Sequence, residues 1–165
     1  MKIEVGKDNP KLRQKSREIE KIDKNIWQLS LVMKETLKEN NGVGLAAPQV
    51  GQSLRMFVFE DLETKEIFTF INPIIKKMSS EIIEVEEGCL SLPNWWGEVE
   101  RSKKITVEGI ILEKNSKNRR KWRFSDIEAC IIQHEIDHLD GILFVDKAKN
   151  LHYQTPKSLN SKYEI

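Results

Sequence analysis

The 165-residue sequence is short of several things, and each absence closes off a class of protein. It has 2 cysteines, too few for a disulfide scaffold, so Cys89 and Cys130 read as free thiols, ligands or core residues. No apolar run approaches the ~18 residues that a membrane span requires. The first residues, Met1 to Asp8, hold no apolar h-region, so no secretory signal is expected. Excess charge is missing as well: 27 Lys+Arg against 26 Asp+Glu leave +1, which gives no reason to expect dedicated nucleic-acid binding. No repeat or low-complexity segment occurs, and the 8 Gly and 5 Pro are scattered rather than gathered into a linker. What is present, 39% hydrophobic and 32% charged residues, fits one soluble, cytoplasmic domain over residues 1–165.

Hydrophobic spacing sketches the elements. Asn9-Pro10 before Lys11-Leu12-Arg13-Gln14 predicts a short capped turn of helix. Ile22, Ile26, Leu29, Met33 and Leu37 fall on one helix face, with Asp23 as a cap and Asn40-Asn41-Gly42 as a stop. Strands are expected over residues 55–60, 66–72, 74–78, 81–87, 105–112 and 119–124, with Asn72-Pro73, Ser79-Ser80 and Asn115-Ser116 as turns. Ser125 and Glu128 predict a capping box opening a second long helix that ends at Gly141. After Asp146 the chain carries little signal. Two helices with many short strands argue for an α+β fold.

His134-Glu135-Ile136-Asp137-His138 is the strongest chemical signal. On a helix the two histidines lie one turn apart on one face and can hold a single cation, while Glu135 sits beside it and can move protons. A third ligand must come from elsewhere. Phe144 stands where metzincin proteases carry a third histidine, and the only glutamate after His138 is Glu164. Cys130 shares the face of His134 but lies about 12 Å along the helix axis from His138, too far for one ion. Cys89, in Glu87-Gly88-Cys89-Leu90-Ser91, remains. A Cys-His-His set with one open position is a catalytic pattern rather than a closed structural one.

With these two segments stands a third, Gly42-Val43-Gly44-Leu45-Ala46-Ala47-Pro48-Gln49, which lacks the lysine and serine of a phosphate loop. Together the three resemble the motifs of the peptide deformylase family, in order and at family-like spacing. That resemblance implies short antiparallel sheets packed around a C-terminal helix carrying the H-E-x-x-H motif, with an N-terminal helix. It also implies removal of the N-formyl group from formyl-methionyl nascent peptides, with release of formate. Cys89, His134 and His138 are then the metal ligands, metal-bound water the nucleophile, and Glu135 the general acid/base. The Gln49 amide and the Leu90 N–H are expected at the oxyanion. The metal implied is Fe²⁺, with Zn²⁺ or Ni²⁺ in purified protein. Substrate contacts are expected from Gly42, Val43, Gly44, Glu87, Gly88, Trp96, Ile127, Cys130 and Ile131, the glycines letting a peptide add as a strand. Trp95-Trp96 gives the pocket rim two unusual aromatics.

Two rivals remain at this stage, a zinc metallopeptidase and a non-catalytic deformylase-like binding module. Charge is also unevenly spread. Residues 81–100 carry six acids and no base, whereas residues 101–123 carry nine bases and two acids. The basic segment from Lys114 to Arg123 is therefore a candidate for transient ribosome contact, with a solvated hairpin as its plainer reading. No membrane partner is expected.

Overall fold

Asn9 and Pro10 start the first helix as their chemistry dictates. The Asn9 side chain accepts from the Lys11 N–H at 3.0 Å, and Pro10 occupies a first-turn position where no helical N–H bond is lost. This gives α1 (Pro10–Arg13) in the computed structural model, which describes residues 1–113 and 118–154. Asp23 caps α2 (Lys24–Glu39), accepting from the Asn25 and Ile26 N–H groups at 2.9 and 3.1 Å. The helix buries Ile26, Met33 and Leu37 and stops where Asn41 turns left-handed at φ 53°.

Five antiparallel strands follow in the spatial order β1-β2-β3-β6-β7: β1 (Gly44–Ala46), β2 (Met56–Glu60), β3 (Ile67–Met78), β6 (Lys104–Ile111) and β7 (Arg120–Ser125). A second sheet has the order β4-β5-β8, made of β4 (Ile82–Gly88), β5 (Trp95–Ser102) and β8 (Lys149–Tyr153). Between β7 and β8 runs α3 (Asp126–Leu139), the H-E-x-x-H helix. Its Ala129, Ile131, Ile132, Ile136 and Leu139 join Phe57, Phe59, Phe70, Ile105, Val107 and Ile111 in the main core. α2 covers the other face of the five-stranded sheet through Met33 and Leu37 against Met56, Val58 and Ile71. A third cluster, with Leu12, Cys89, Leu92, Val99, Leu143 and Phe144, lies beside the smaller sheet. No helix among the described residues is long and apolar enough to cross a membrane.

The architecture is the α+β one expected, with three local differences. The predicted break at Asn72-Pro73 is instead a bulge within one strand. β2 pairing ends at Ile71, so the absent N–H of Pro73 falls beyond that ladder, and the register with β6 slips between Ile71 and Ile74. Asn72 adopts φ 48° and ties down residue 19 by exchanging two 2.8 Å bonds with the Ile19 backbone. β1, β5 and β8 were not foreseen as strands. Finally, the Ser125 side chain makes no cap bond. Ser125 is held in the β7 ladder opposite Lys104, and the Glu128 carboxylate accepts from the Leu62 N–H at 3.5 Å instead. The predicted turn at Asn115-Ser116 lies outside the described residues, as do Lys114 and Lys117 of the basic segment.

Candidate metal centre

His134 and His138, one turn apart on α3, set their rings 5.0 Å between centroids and nearly perpendicular. Cys89 follows the last residue of β4, and its carbonyl accepts from the Leu92 N–H at 2.8 Å, closing a tight turn that carries the thiol toward the helix. Its Sγ stands 3.2 Å from His138 Nε2. One ligand atom each from Cys89, His134 and His138 lies within 4.8 Å of the others, and all three residues are buried. Cys130 is buried but takes no part in this group.

The surroundings fix each group. His134 Nδ1 meets Glu87 Oε2 at 2.9 Å, leaving Nε2 buried and without a hydrogen-bond partner among the described residues. A carboxylate behind an imidazole in this way sets its tautomer and raises its basicity toward a cation. Glu87 is gripped by Arg101, whose Nε and Nη2 donate at 2.7 and 2.9 Å, while Nη1 of the same arginine donates to Asp137 at 2.5 Å. Burial alone would raise the Glu87 carboxyl, but the Arg101 and His134 hydrogen bonds and their charges overcome it and hold it at about 2. Burial likewise opposes the Arg101 charge, and Glu87 and Asp137 more than restore it. No local sequence pattern marks this Asp137–Arg101–Glu87–His134 chain, because its members come from three distant stretches of the sequence.

Glu135 is fully buried, and neither carboxylate oxygen has a partner among the described residues. Burial, with the charge of Glu87 adding to it, pushes its carboxyl well above the ordinary range. Burial pushes the Cys89 thiol up to about 12 and, with His134 close by, drives His138 well below its usual value. A bound cation acts the other way on the thiol, since coordination deprotonates it. Thiol, two imidazoles and a free carboxylate beside them are a donor set that fits a divalent ion.

The first glycine-rich segment supplies the other wall. Gln49 lies in a 3₁₀ turn (Ala47–Val50), its Oε1 pinned by the Ala46 N–H at 2.7 Å and its Nε2 aimed at Cys89 Sγ (3.5 Å) and Ser91 Oγ (3.3 Å). The Leu90 N–H makes no hydrogen bond among the described residues. Gly44 is glycine for a steric reason: a Cβ there would stand 2.3 Å from Glu135 Oε1. The space beside Gly88 is filled by the Trp96 ring, 3.0 Å from where a Cβ would sit, and that beside Gly42 by Leu37 and Leu90. β1 and β4, which bear Gly44 and Gly88, are each an edge strand of their sheet. Of the expected pocket residues, Val43, Trp96, Cys130 and Ile131 are buried and Ile127 is exposed. Glu87 has its whole carboxylate committed to Arg101 and His134.

Fold and site together define a metal-dependent hydrolase of the H-E-x-x-H kind with a cysteine in its metal-binding group. The comparisons with known proteins make this specific. The family profile of polypeptide deformylases matches residues 2–154, and the chain belongs to that family. A peptide deformylase from Desulforudis audaxviator is 43% identical over 144 residues, covering 87% of this chain and 91% of that protein. One from Chloroflexus aurantiacus is 37% identical, covering 92% and 87%. Among solved structures, the peptide deformylase of Thermotoga maritima superposes with a TM-score of 0.81 at 38% identity over 89% of this chain and 96% of that one. That of Synechococcus elongatus in complex with actinonin gives 0.82 at 34% identity over 90% and 78%.

Proposed function

We propose that the protein removes the N-formyl group from formyl-methionyl peptides at the start of newly made chains. Water adds to the formyl carbon, the C–N bond breaks, and formate and a free amine leave. The observation that carries this reading is the convergence of all three family motifs on one buried locus: Gln49, Cys89, Glu135, His134 and His138. A divalent ion held by Cys89, His134 and His138 supplies Lewis acidity and acidifies a water. Glu135, buried and without a partner among the described residues, would take a proton from the attacking water and return it to the departing amine. The Gln49 amide and the Leu90 N–H donate toward the oxygen on which charge builds. Edge strands β1 and β4 offer the peptide backbone a place to pair, beside a methionine pocket walled by Val43, Trp96, Ile127, Cys130 and Ile131.

The ion in the cell is Fe²⁺ on this reading. The affinity order alone favours Zn²⁺, so occupancy follows supply, and anaerobic Fe²⁺ protein is expected to be the more active and the more sensitive to air. The protein works in the cytoplasm, as one catalytic domain, and meets its substrate in transient contact with the ribosome. Of the segment Lys114 to Arg123, the basic side chains of Arg120, Lys121 and Arg123 support that contact, whereas Arg119 is held by Glu108 and the Asn72 carbonyl.

The test is formate release from formyl-Met-Ala-Ser by anaerobically purified protein, with unformylated casein offered alongside. Formate release without casein cleavage is expected. Casein cleavage alone would assign a metallopeptidase, and metal uptake with no turnover of either would assign a binding module.

A further inference from the structure

The near-zero net charge conceals a strongly divided surface. On the smaller sheet, Glu84 lies opposite Glu100 and Glu86 opposite Glu98, with Lys149 of β8 pairing Glu100 at 2.5 Å and leaving the four carboxylates in excess. On the larger sheet the arrangement is reversed. Its inner face packs on α3, and the β1–β3 end of its outer face is covered by α2, with Ile110 of β6 packed into that cluster. Among the described residues no element covers the remaining outer face of β6 and β7. Across that open face Lys77 of β3 lies opposite Thr106 of β6, and Thr106 opposite Arg123 of β7, forming one row over three strands. The next row brings Lys121 opposite Glu108, and Lys104 stands two residues along β6 from Thr106. The register slip between Ile75 and Lys77 makes Lys76 the extra residue of a bulge, which is why Lys77 enters the row.

The row borders a groove of about 360 Å³ whose lining includes Lys77, Lys104, Arg123, Thr106 and Ser125 and, among the described residues, no carboxylate. Lys77, Lys104 and Arg123 have no ion pair among the described residues, and the Thr106 and Ser125 hydroxyls make no hydrogen bond there. Glu108, the acid in the neighbouring row, is occupied by Arg119 at 3.5 Å. Glu81, within reach of the Lys104 charge, is taken by Lys103 at 2.7 Å, and Asp126 borders the rim beside Lys103. Uncommitted cations spaced over about 10 Å of sheet, with free hydroxyls between them, are the donor set that contacts a phosphate backbone.

We infer that this open face of β3, β6 and β7, centred on Lys77, Lys104 and Arg123, docks on the phosphate backbone of RNA. The choice of RNA among polyanions rests on the proposed action at nascent chains, where ribosomal RNA is the abundant partner. The acidic face of the other sheet is repelled by the same backbone, so the two faces together orient the molecule. Two of the three central cations, Lys77 and Lys104, lie outside the basic segment that the sequence singles out. Their contribution comes from the strand register alone.

The test uses the full-length metallated protein, a fluorescently labelled short RNA duplex and purified ribosomes. Three phosphate contacts give a log–log salt slope near −3, a loss of about 40-fold in affinity between about 50 and 200 mM salt. The triple variant Lys77→Gln/Lys104→Gln/Arg123→Gln is expected to bind RNA and ribosomes at least ~10-fold more weakly at low salt, with a slope near zero. Its turnover of formyl-Met-Ala-Ser should stay at the wild-type rate. The control Lys15→Gln/Lys21→Gln/Lys24→Gln removes the same charge elsewhere and should leave binding unchanged. An unaltered affinity and slope in the first triple variant overturns the inference, as does equal weakening by the control. Failure of the wild-type protein to bind RNA, or tighter binding to anionic phosphatidylglycerol vesicles, overturns it too. Failure of the catalytic reading registers separately, as absence of formate release.

Discussion

Glu135 and Gly44 make a pair in which one residue's chemistry explains the other's lack of a side chain. The carboxylate is buried with neither oxygen partnered among the described residues, a costly state that persists only where something other than stability selects it. In the metallated protein, Glu135→Gln is expected to keep the metal and lose at least ~10²-fold in kcat, because an amide is no base. Metal analysis beside steady-state rates checks this, and near-normal turnover at full occupancy would refute the role. Gly44→Ala tests the same carboxylate from outside. Gly44 does not have a left-handed backbone, so the added methyl strains nothing locally, yet it lands 2.3 Å from Oε1. Either the strand or the carboxylate must move, at a cost of about 1–3 kcal/mol. We expect a folded protein with normal metal content and kcat reduced by ~10²-fold. Wild-type kcat would mean that the position of Glu135 is not critical.

At the scale of elements, what the sequence disclosed and what it hid follow one physical division. α2 and β6 show apolar periodicity because each buries one face, whereas β2 and the middle of α3 are buried nearly all round and show as apolar runs. The two histidines were legible through the 3.6-residue period. β5 escaped notice because its inward positions include Gly97 and the buried Arg101, so the alternation is broken by a charge whose partners, Glu87 and Asp137, are distant in sequence. β8 buries almost nothing, and β1 is three residues of Gly-Leu-Ala, so neither carries a period. The capping box at Ser125 failed because strand pairing with Lys104 claimed the residue first.

α1 is anchored in a similar long-range way. Arg13 donates to both Asp146 oxygens, one at 3.0 Å, and the Leu143 N–H donates to the same carboxylate at 2.9 Å. The Arg13 bonds, and then that of Leu143, hold the Asp146 carboxyl below its ordinary value of 3.8 against the opposing effect of burial. A folded-state value below the unfolded one stabilises above pH ~3.8, and that stabilisation fades as pH falls toward the folded value. Because both side chains are about one-third exposed, the effect is at most ~1 kcal/mol. Asp146→Asn should therefore lower the urea midpoint at pH 7 slightly and lose less stability than wild type on acidification below pH ~4. Parallel acid curves for the two proteins would show that this ion pair does not matter.

For the whole molecule, the three residues proposed to hold the metal belong to two separately built parts. Cys89 hangs from the end of β4 in the three-stranded sheet, whereas His134 and His138 ride on α3, packed against the five-stranded sheet. An ion on these three residues is thus a cross-link between the sheets as well as a reagent. Anything that binds only the folded state stabilises it by mass action, about 4 kcal/mol at a thousandfold excess over Kd. For a protein of this size that corresponds to roughly 8–16 °C in Tm. Removing the ion with a chelator should therefore lower Tm by about 10 °C, and adding Zn²⁺ or Ni²⁺ should restore it. Cys89→Ser removes one strand of the cross-link, so most of that metal-dependent shift should vanish while the metal-free Tm changes little. Should the chelated wild-type protein melt at the same temperature as the loaded one, with metal loss verified by elemental analysis, the two sheets must be joined by their shared core alone.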